Sequence, residues 1–350
     1  MKIIFIYIVL ISIIALNSCS IDDPITNNSG PEIINLVNNE LSVGDTLKVE
    51  GKNFGTKSPL SYLLFDSTKV FSSDCFKWQD NEIWLILPDT ATSGNLSVVS
   101  KSDTSNIKEI KINPLPTISS VLIAASNFYM GSLTGNIDEK PVKKISITKS
   151  FLMTSTEITQ KLYRIVMRYN PATEIGDNLP VNNIKWIEAI YFCNKLSKMQ
   201  NLDTAYRISG ADVLWDTNSI GWRLPTEAEW EMSCRAGTSG DFYNDNLNTI
   251  AWYSDNSGFR IKPVASKMPN QFGLYDMSGN VWEWCYDYYD AKYYENRPTE
   301  NPKGPNNGKI GVIRGGAFDQ GTYFARSSNR TRPDDVHNNI GFRVVRNLDK

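Results

Sequence analysis

The run Phe272-Gly273-Leu274-Tyr275-Asp276-Met277-Ser278-Gly279-Asn280-Val281-Trp282-Glu283-Trp284 mixes glycines, aromatics and carboxylates with no sustained helical or strand period. It belongs to a region opening near Ile118 in which aromatic and glycine content rises and only a few regular elements can be argued. On its N-terminal side lies Trp222-Arg223-Leu224-Pro225-Thr226-Glu227-Ala228-Glu229-Trp230-Glu231. Thr226, directly after Pro225 and three residues before Glu229, has the pattern of a capping box and so predicts a helix start. Gly237 is its expected stop. Over 185–199, Trp186, Ala189, Ile190, Cys193 and Leu196 recur at helical spacing and predict one apolar face, which makes Cys193 a core thiol rather than a nucleophile. A shorter helix is expected after Thr159, with Leu162, Ile165 and Val166 inward. These helices leave most of the region to strands and irregular loops.

Further stretches continue the pattern in order: Asn127-Phe128-Tyr129-Met130-Gly131, Asp138-Glu139-Lys140-Pro141, Glu157-Ile158-Thr159 and Leu179-Pro180-Val181 before the central runs, then Arg314-Gly315-Gly316 and Gly341-Phe342-Arg343 after them. Together they resemble the formylglycine-generating enzyme (sulfatase-modifying factor) family over residues 117–348. The resemblance implies an α+β C-type-lectin-like domain with little regular secondary structure. Fold does not settle activity, and here the sequence departs from the family. Formylglycine-forming members use a copper-binding cysteine pair shortly after Arg-Gly-Gly, where soft thiolates suit Cu(I). The corresponding stretch, Ala317-Phe318-Asp319-Gln320-Gly321-Thr322-Tyr323-Phe324-Ala325-Arg326, contains no cysteine, and none follows Cys285. No copper is therefore expected, and no residue is assigned as catalytic. Some relatives without the pair use an iron site supplied by a histidine-bearing domain, but the chain has a single histidine, His337. Neither a two-His facial triad nor a Ser-His-Asp arrangement is built from that residue, which reads as a loop residue. Asp334 and Asp335 are adjacent rather than spaced across a cleft as a glycosidase needs, and read as solvated turn residues.

The resemblance also implies a structural calcium site formed by the Asp276 and Glu283 carboxylates and the Gly279 and Val281 carbonyls. Hard oxygen donors on an irregular loop suit Ca²⁺; the competing reading is that Asp276 and Glu283 cap turns and pair with arginines. A second family calcium site would fall at 250–258, but Ile250 stands where the family has an oxygen-bearing side chain, and that site is left unassigned. The family's substrate groove would be lined near the C-terminus by Arg314, Phe318, Gln320, Tyr323, Arg326 and Arg330, with Phe324, Arg332 and Arg343 nearby. Arginine forks bind carboxylates and carbonyls, and aromatics supply rigid contact area. Internal salt bridging of the same arginines is equally open. The tyrosines of Tyr286-Asp287-Tyr288-Tyr289 read either as a binding surface or as a packed loop.

Upstream, short β-rich stretches from Pro31 are separated by turn residues at the spacing of a β-sandwich. They include Thr46-Leu47-Lys48-Val49-Glu50, Glu82-Ile83-Trp84-Leu85-Ile86-Leu87 and Leu96-Ser97-Val98-Val99. Leu47 and Val49 should face a core and Lys48 and Glu50 water. Gly44-Asp45-Thr46-Leu47, Gly51-Lys52-Asn53-Phe54-Gly55, Ile86-Leu87-Pro88 and Ser93-Gly94-Asn95-Leu96 resemble an IPT/TIG domain over 31–113, whose role would be to space or dock partners. Pro114-Leu115-Pro116 reads as a stiff linker. The fold expected is thus an all-β Ig-like sandwich followed by the α+β C-type-lectin-like domain.

At the N-terminus Lys2 is followed by an apolar run from Ile3 to Leu16 and then Asn17-Ser18-Cys19. A spanning helix needs about 20 apolar residues, and this run has signal-peptide length. Leu16-Asn17-Ser18-Cys19 resembles the bacterial lipobox, implying a signal peptide over 1–18, lipidation of Cys19 and a tether over 19–30. Each buried acyl CH₂ contributes about 0.8 kcal/mol, so several chains anchor a protein firmly. Ser20-Ile21-Asp22-Asp23 is similar to acidic export signals of surface lipoproteins. The 350 residues suit two cores, and a net charge of −2 with signs interspersed excludes a nucleic-acid stripe. Cys75, Cys193, Cys234 and Cys285 form no CxxC pair and are expected to be mostly buried thiols. The function expected is that of an envelope lipoprotein, outer-membrane anchored, whose second domain binds a peptide, glycan or protein partner without catalysis, as in gliding or secretion-linked lipoproteins. The alternative is a family oxidoreductase with a non-canonical site.

Overall fold

A computed structural model of the chain describes residues 30–88, 90–113, 117–210, 212–333 and 337–348. The signal peptide, Cys19, the tether up to residue 29, the 114–116 linker and the Asp334-Asp335 pair lie outside the described residues.

Alternation along Thr46–Lys52 sets the first core. Leu47 and Val49 are fully buried while Thr46 and Glu50 are exposed, as a half-buried strand requires. Lys48 lays its ammonium over the Trp84 ring at 4.1 Å. The strand pairs antiparallel with Glu32–Leu36 on one side and Glu82–Ile86 on the other, and Lys77–Trp78 completes the sheet. A second sheet runs in the order Glu40–Ser42, Lys108–Asn113, Gly94–Ser100, Tyr62–Phe65, Thr68–Phe71. Leu47, Val49, Ile83 and Leu85 of the first sheet share one core with Leu63, Phe65, Leu96, Val98 and Ile110 of the second. The two sheets therefore pack face to face. The strands expected over 46–50, 82–87 and 96–99 are present. The parallel pairing of Glu40–Ser42 with Lys108–Asn113 was not anticipated, since the pattern of so short an edge strand carries little signal. Gly44, at φ +79°, turns the chain between strands, and a Cβ there would lie 0.9 Å from a guanidinium nitrogen of Arg168. Through that gap Arg168 reaches the Val43 carbonyl and the Asp45 carboxylate, each at 3.4 Å.

In the second region the expected helices are α1 (Gln160–Met167), α2 (Trp186–Met199) and α3 (Glu227–Arg235). Thr159 caps α1 by accepting from the Leu162 amide, and Leu162, Ile165 and Val166 are buried. Ala189, Ile190, Cys193 and Leu196 form the buried face of α2. Thr226 and Glu229 make the capping box of α3. Its end differs from expectation: Ala236 takes the left-handed turn at φ 45° one residue before Gly237. Among the described residues, three one-turn α-helices, two 3-10 turns and many short strands and loops make up the rest. One antiparallel sheet joins Ser120–Ile123, Phe151–Thr154, Val345–Asn347 and Trp222–Arg223, so the end of the region returns beside its beginning. Another orders Arg330–Thr331, Gly311–Arg314, Trp282–Tyr288 and Ile340–Gly341. The Phe272–Trp284 run thus ends as an inner strand, and the Arg-Gly-Gly strand lies next to it with Glu283 opposite Arg314. Among the described residues no helix is long and apolar enough to cross a membrane.

Candidate functional site

Every residue of α3 is buried, including Glu227, Glu229, Glu231 and Arg235. Buried carboxylates persist only when paired and hydrogen-bonded, and here each finds an arginine. Arg223 holds Glu229 through both terminal nitrogens at 2.6 and 2.8 Å. Arg314 bridges Glu227 at 2.8 Å and Glu231 at 2.6 Å. Arg330 forks onto Glu227 at 2.7 and 3.0 Å, and Arg235 takes the other Glu231 oxygen at 2.9 Å. Burial pushes the Glu227 carboxyl up, but Arg330 and Arg314 outweigh it and hold it below the ordinary glutamate range. Burial likewise opposes Glu231, which Arg235 and Arg314 hold below that range. Arg326 pairs in the same way with Glu139, at 2.7 and 2.9 Å.

Arg314, Arg326 and Arg330 therefore do not line an open groove, and Phe318 is buried beside Ile261 and Val281. Internal ion pairing, left open by the sequence, is the arrangement found for the arginines. Of the groove candidates, Gln320 and Tyr323 reach the surface, and with Asp319 and Phe324 they form a polar and aromatic strip. Tyr323 donates its hydroxyl to Asn136 at 2.8 Å. Asn339 donates to both Asp319 oxygens, at 3.0 and 3.1 Å. Phe324 meets Trp282 edge-on at 6.1 Å. Asn136, Asn339 and Trp282 were not among the residues expected here, because their neighbourhood arises only when the 136–139 turn closes over the 319–326 loop.

The turn beneath the strip is the expected calcium turn. Gly279 (φ +80°) donates to the Gly315 carbonyl at 2.7 Å and Phe318 donates to the Asn280 carbonyl at 2.8 Å, so the turn and the loop after Arg-Gly-Gly are sewn together. A Cβ at Gly279 would lie 2.1 Å from the Trp252 carbonyl, which excludes any other residue. Glu283 is already paired: Arg343 takes both of its oxygens at 2.7 Å, and Trp230 donates to one of them at 2.7 Å. The oxygens left over belong to Asp276 and to Glu157, a residue not expected in the site although it lies in a motif quoted above. Asp276 accepts from the Ala265 amide at 2.7 Å and Glu157 from Asn280 at 3.1 Å, whereas Asp276 Oδ1 and Glu157 Oε2 are buried without a partner among the described residues. Burial, then Asp276 and Glu283, push the Glu157 carboxyl well up. Burial raises Asp276 to about 6, against the pull of the Ala265 amide and Arg343. Two facing buried carboxyls cannot both ionise unaided; they share a proton or admit a cation. The orphaned oxygens are hard donors of the kind Ca²⁺ takes, so Asp276 fits such an ion, Glu157 fits it better than Glu283 does, and no third acidic, Cys or His side chain completes a cage among the described residues.

Cys75, Cys193, Cys234 and Cys285 are all free and buried. Burial raises the thiol of Cys75 to about 12 and of Cys234 to about 11, and pushes Cys193 and Cys285 up as well. Such thiols are poor nucleophiles. His337 is exposed, at the start of the turn leading to Ile340. Of the tyrosine cluster, Tyr286 packs in the core against Tyr206 and Trp215, while Tyr289 donates to Asp138 at 2.8 Å.

Comparison with known proteins identifies the fold of this region. Residues 106–348 match the sulfatase-modifying factor enzyme 1-like domain family. The formylglycine-generating enzyme of Streptomyces coelicolor is 37% identical over 152 residues, 37% of this chain and 48% of that protein. The serine/threonine-protein kinase pkn1 of Chlamydia pneumoniae is 30% identical over 260 residues, 72% of this chain and 41% of the relative. The chain thus spans less than half the length of these curated relatives. Among solved structures, the Treponema denticola variable protein 1 superposes with a TM-score of 0.61 at 32% identity, over 65% of this chain and 94% of that one.

Proposed function

The chain belongs to the sulfatase-modifying factor enzyme 1-like family, and from that premise we propose that its family domain binds a peptide, glycan or protein partner in the cell envelope rather than oxidising a substrate. The observation that carries this reading is the loop after Arg314-Gly315-Gly316. Where formylglycine-forming members hold copper by two thiolates, this loop presents Asp319, Gln320, Tyr323 and Phe324, and the four described thiols are buried elsewhere. An exposed strip of aromatic rings beside fixed amide and carboxylate groups is the composition of a recognition surface. The two-sheet N-terminal region serves in this proposal as an Ig-like, IPT/TIG spacer over 31–113 leading to the family domain at 117–348. Cys19 carries the lipid that anchors both to the outer membrane. Calcium is held by Asp276 and Glu157 with the Gly279 and Val281 carbonyls, and Glu283 serves mainly to fix Arg343. When bound, the ion supplies the positive charge that the cluster lacks and stiffens the turn on which the strip rests.

The direct test is metal and oxygen analysis of the purified full chain. Calcium without stoichiometric copper or iron, and no oxygen uptake with a cysteine-containing sulfatase peptide, is the expected result. Stoichiometric copper or iron with oxygen consumption would overturn the binding reading in favour of a family oxidoreductase with a non-canonical site. For the anchor, Cys19→Ala should move the protein from the membrane pellet to the soluble fraction; unchanged pelleting would refute lipidation there.

A further inference from the structure

Away from the strip, a cavity of about 150 Å³ opens where the sheet strands Trp222–Arg223 and Val345–Asn347 meet the hairpin strand Asp212–Trp215 and the loops carrying Lys149 and Lys303. At about 30 Å³ per water, that is room for a handful of waters or one small polyatomic ion. Two of the residues that line it carry buried hydrogen-bond donors without acceptors among the described residues. Four of the five N–H groups of Arg223 are accounted for: two go to Glu229, one to the Leu224 carbonyl and one to Asn347. The fifth, on Nε, has no partner, although Arg223 is only 2% exposed. The indole N–H of Trp215 is also buried without an acceptor. Orphaned buried donors are uncommon and call for a missing partner.

Charge says what kind of partner. Glu229 neutralises Arg223 through its fork, leaving Lys149 and Lys303 as the uncompensated charges on the cavity wall. Neither lysine makes an ion pair with a described residue. Lys303 stands over the Trp215 ring at 5.1 Å and Arg223 lies 4.7 Å from the same ring, so positive charge gathers around the indole whose N–H is free. A neutral water can accept from both N–H donors but leaves the two ammonium charges uncompensated. Two N–H donors and two ammonium groups from four separate chain segments bring two uncompensated positive charges to one small volume, which the single negative charge of a carboxylate would only half offset. They suit an ion with three or four acceptor oxygens and a charge near −2 at neutral pH.

We propose that this cavity binds a tetrahedral oxyanion, phosphate or sulfate, either free or as the terminal ester group of a larger molecule, through Trp215, Arg223, Lys149 and Lys303. The site is distinct from the strip and does not depend on the function proposed for it.

The test follows the indole ¹⁵N–¹H signal of Trp215 in the full chain, identified by its loss in Trp215→Phe, during titration with inorganic phosphate. A saturable shift is expected, with affinity at least tenfold weaker in the exposed-lysine variant Lys149→Met/Lys303→Met and at least tenfold weaker for acetate than for phosphate. Circular dichroism of that double variant should match the parent, since both lysines lie at the surface. Methyl phosphate binding as tightly as phosphate assigns an esterified ligand, and methyl phosphate binding tenfold or more weakly assigns the free ion; both outcomes support the site. Absence of a saturable shift, a shift unchanged in the double variant, or acetate binding as tightly as phosphate would overturn it.

Discussion

Two charged clusters lie in the interior of the family domain, and they differ in their balance. Around α3, Glu227, Glu229 and Glu231 face Arg223, Arg235, Arg314 and Arg330, and every carboxylate oxygen meets an arginine. Glu283 and Arg314 sit opposite each other across neighbouring strands, so the clusters are adjacent. In the second, Glu157, Asp276 and Glu283 face Arg343 as their one cation, and two carboxylate oxygens have no N–H or hydroxyl donor among the described residues. A balanced interior cluster takes the place of regular secondary structure, pinning distant loops to one buried helix. A cluster short of positive charge marks a place for a proton or a cation. The same residue types therefore mean architecture in one cluster and, in the other, a deficit of positive charge that a proton or the proposed cation would fill.

The largest effect should come from breaking the balanced cluster. Arg314→Met leaves Glu227 to Arg330 alone and Glu231 to Arg235 alone, and loss of one partner of a buried pair costs about 3–5 kcal/mol. Urea unfolding should show that loss; a variant within about 1 kcal/mol of the parent would mean the network is not what holds α3. Next in size is the response of the unbalanced cluster to its proposed ion. Calcium at 100 times its dissociation constant stabilises by about 2.7 kcal/mol, or roughly 5–10 °C in a domain of this size. A melting temperature unmoved by calcium after chelation would remove the ion from the site.

Charge removal sharpens the contrast, because its sign should reverse between clusters. Asp276→Asn relieves repulsion with Glu157, so it should stabilise the calcium-free protein by roughly 1–3 kcal/mol while abolishing the calcium response. The pH dependence follows. Burial raises the folded pKa of Asp276 to about 6 and pushes Glu157 up, so between the unfolded carboxylate range near 4 and about 6 the native state holds the extra proton. Calcium-free stability should fall as pH rises through that window, and calcium should flatten the fall. Glu227 and Glu231 are held below their ordinary range. Their contribution is complete above about pH 4 and is lost on further acidification. Denaturant melts at stepped pH, with and without calcium, separate the two; calcium-free stability that rises between pH 4 and 6 would reverse the assignment.

How far the sequence foretold this depends on the range of the signal. Local patterns worked: the capping box at Thr226, the cap at Thr159, the apolar face of α2 and the Leu47/Val49 alternation are set within a turn or a strand. Family motifs carried the fold of residues 106–348. What failed was partner choice. Arg314, Arg326 and Arg330 look like recognition arginines in the sequence, and only the fold brings Glu227, Glu231 and Glu139 to them from 83 to 187 residues away. The partners of Glu283 and Glu157 are hidden for the same reason, since Arg343 lies 60 residues from the first and Asn280 lies 123 from the second. A buried acid does not announce in sequence whether a cation is waiting for it.

The smallest stability effect should come from the strip, and its smallness is the point. Tyr323 and Phe324 are 44% and 37% exposed, and their contacts are a surface hydrogen bond to Asn136, edge contacts between rings and, for Tyr323, the Arg326 guanidinium over its ring at 4.1 Å. Surface substitutions away from buried features usually stay within about 0.5 kcal/mol, so Tyr323→Ala and Phe324→Ala should melt close to the parent. Arg326, at the end of the same loop, is tied by its fork to the fully buried Glu139, and Arg326→Met should cost several times as much. If the strip is a recognition surface, the two aromatic variants will lose the protein's cellular role while keeping its fold, whereas Arg326→Met will lose that role only in proportion to its stability. Aromatic variants that are folded and fully functional in cells would leave the strip as ordinary surface and move the search for the partner to another face.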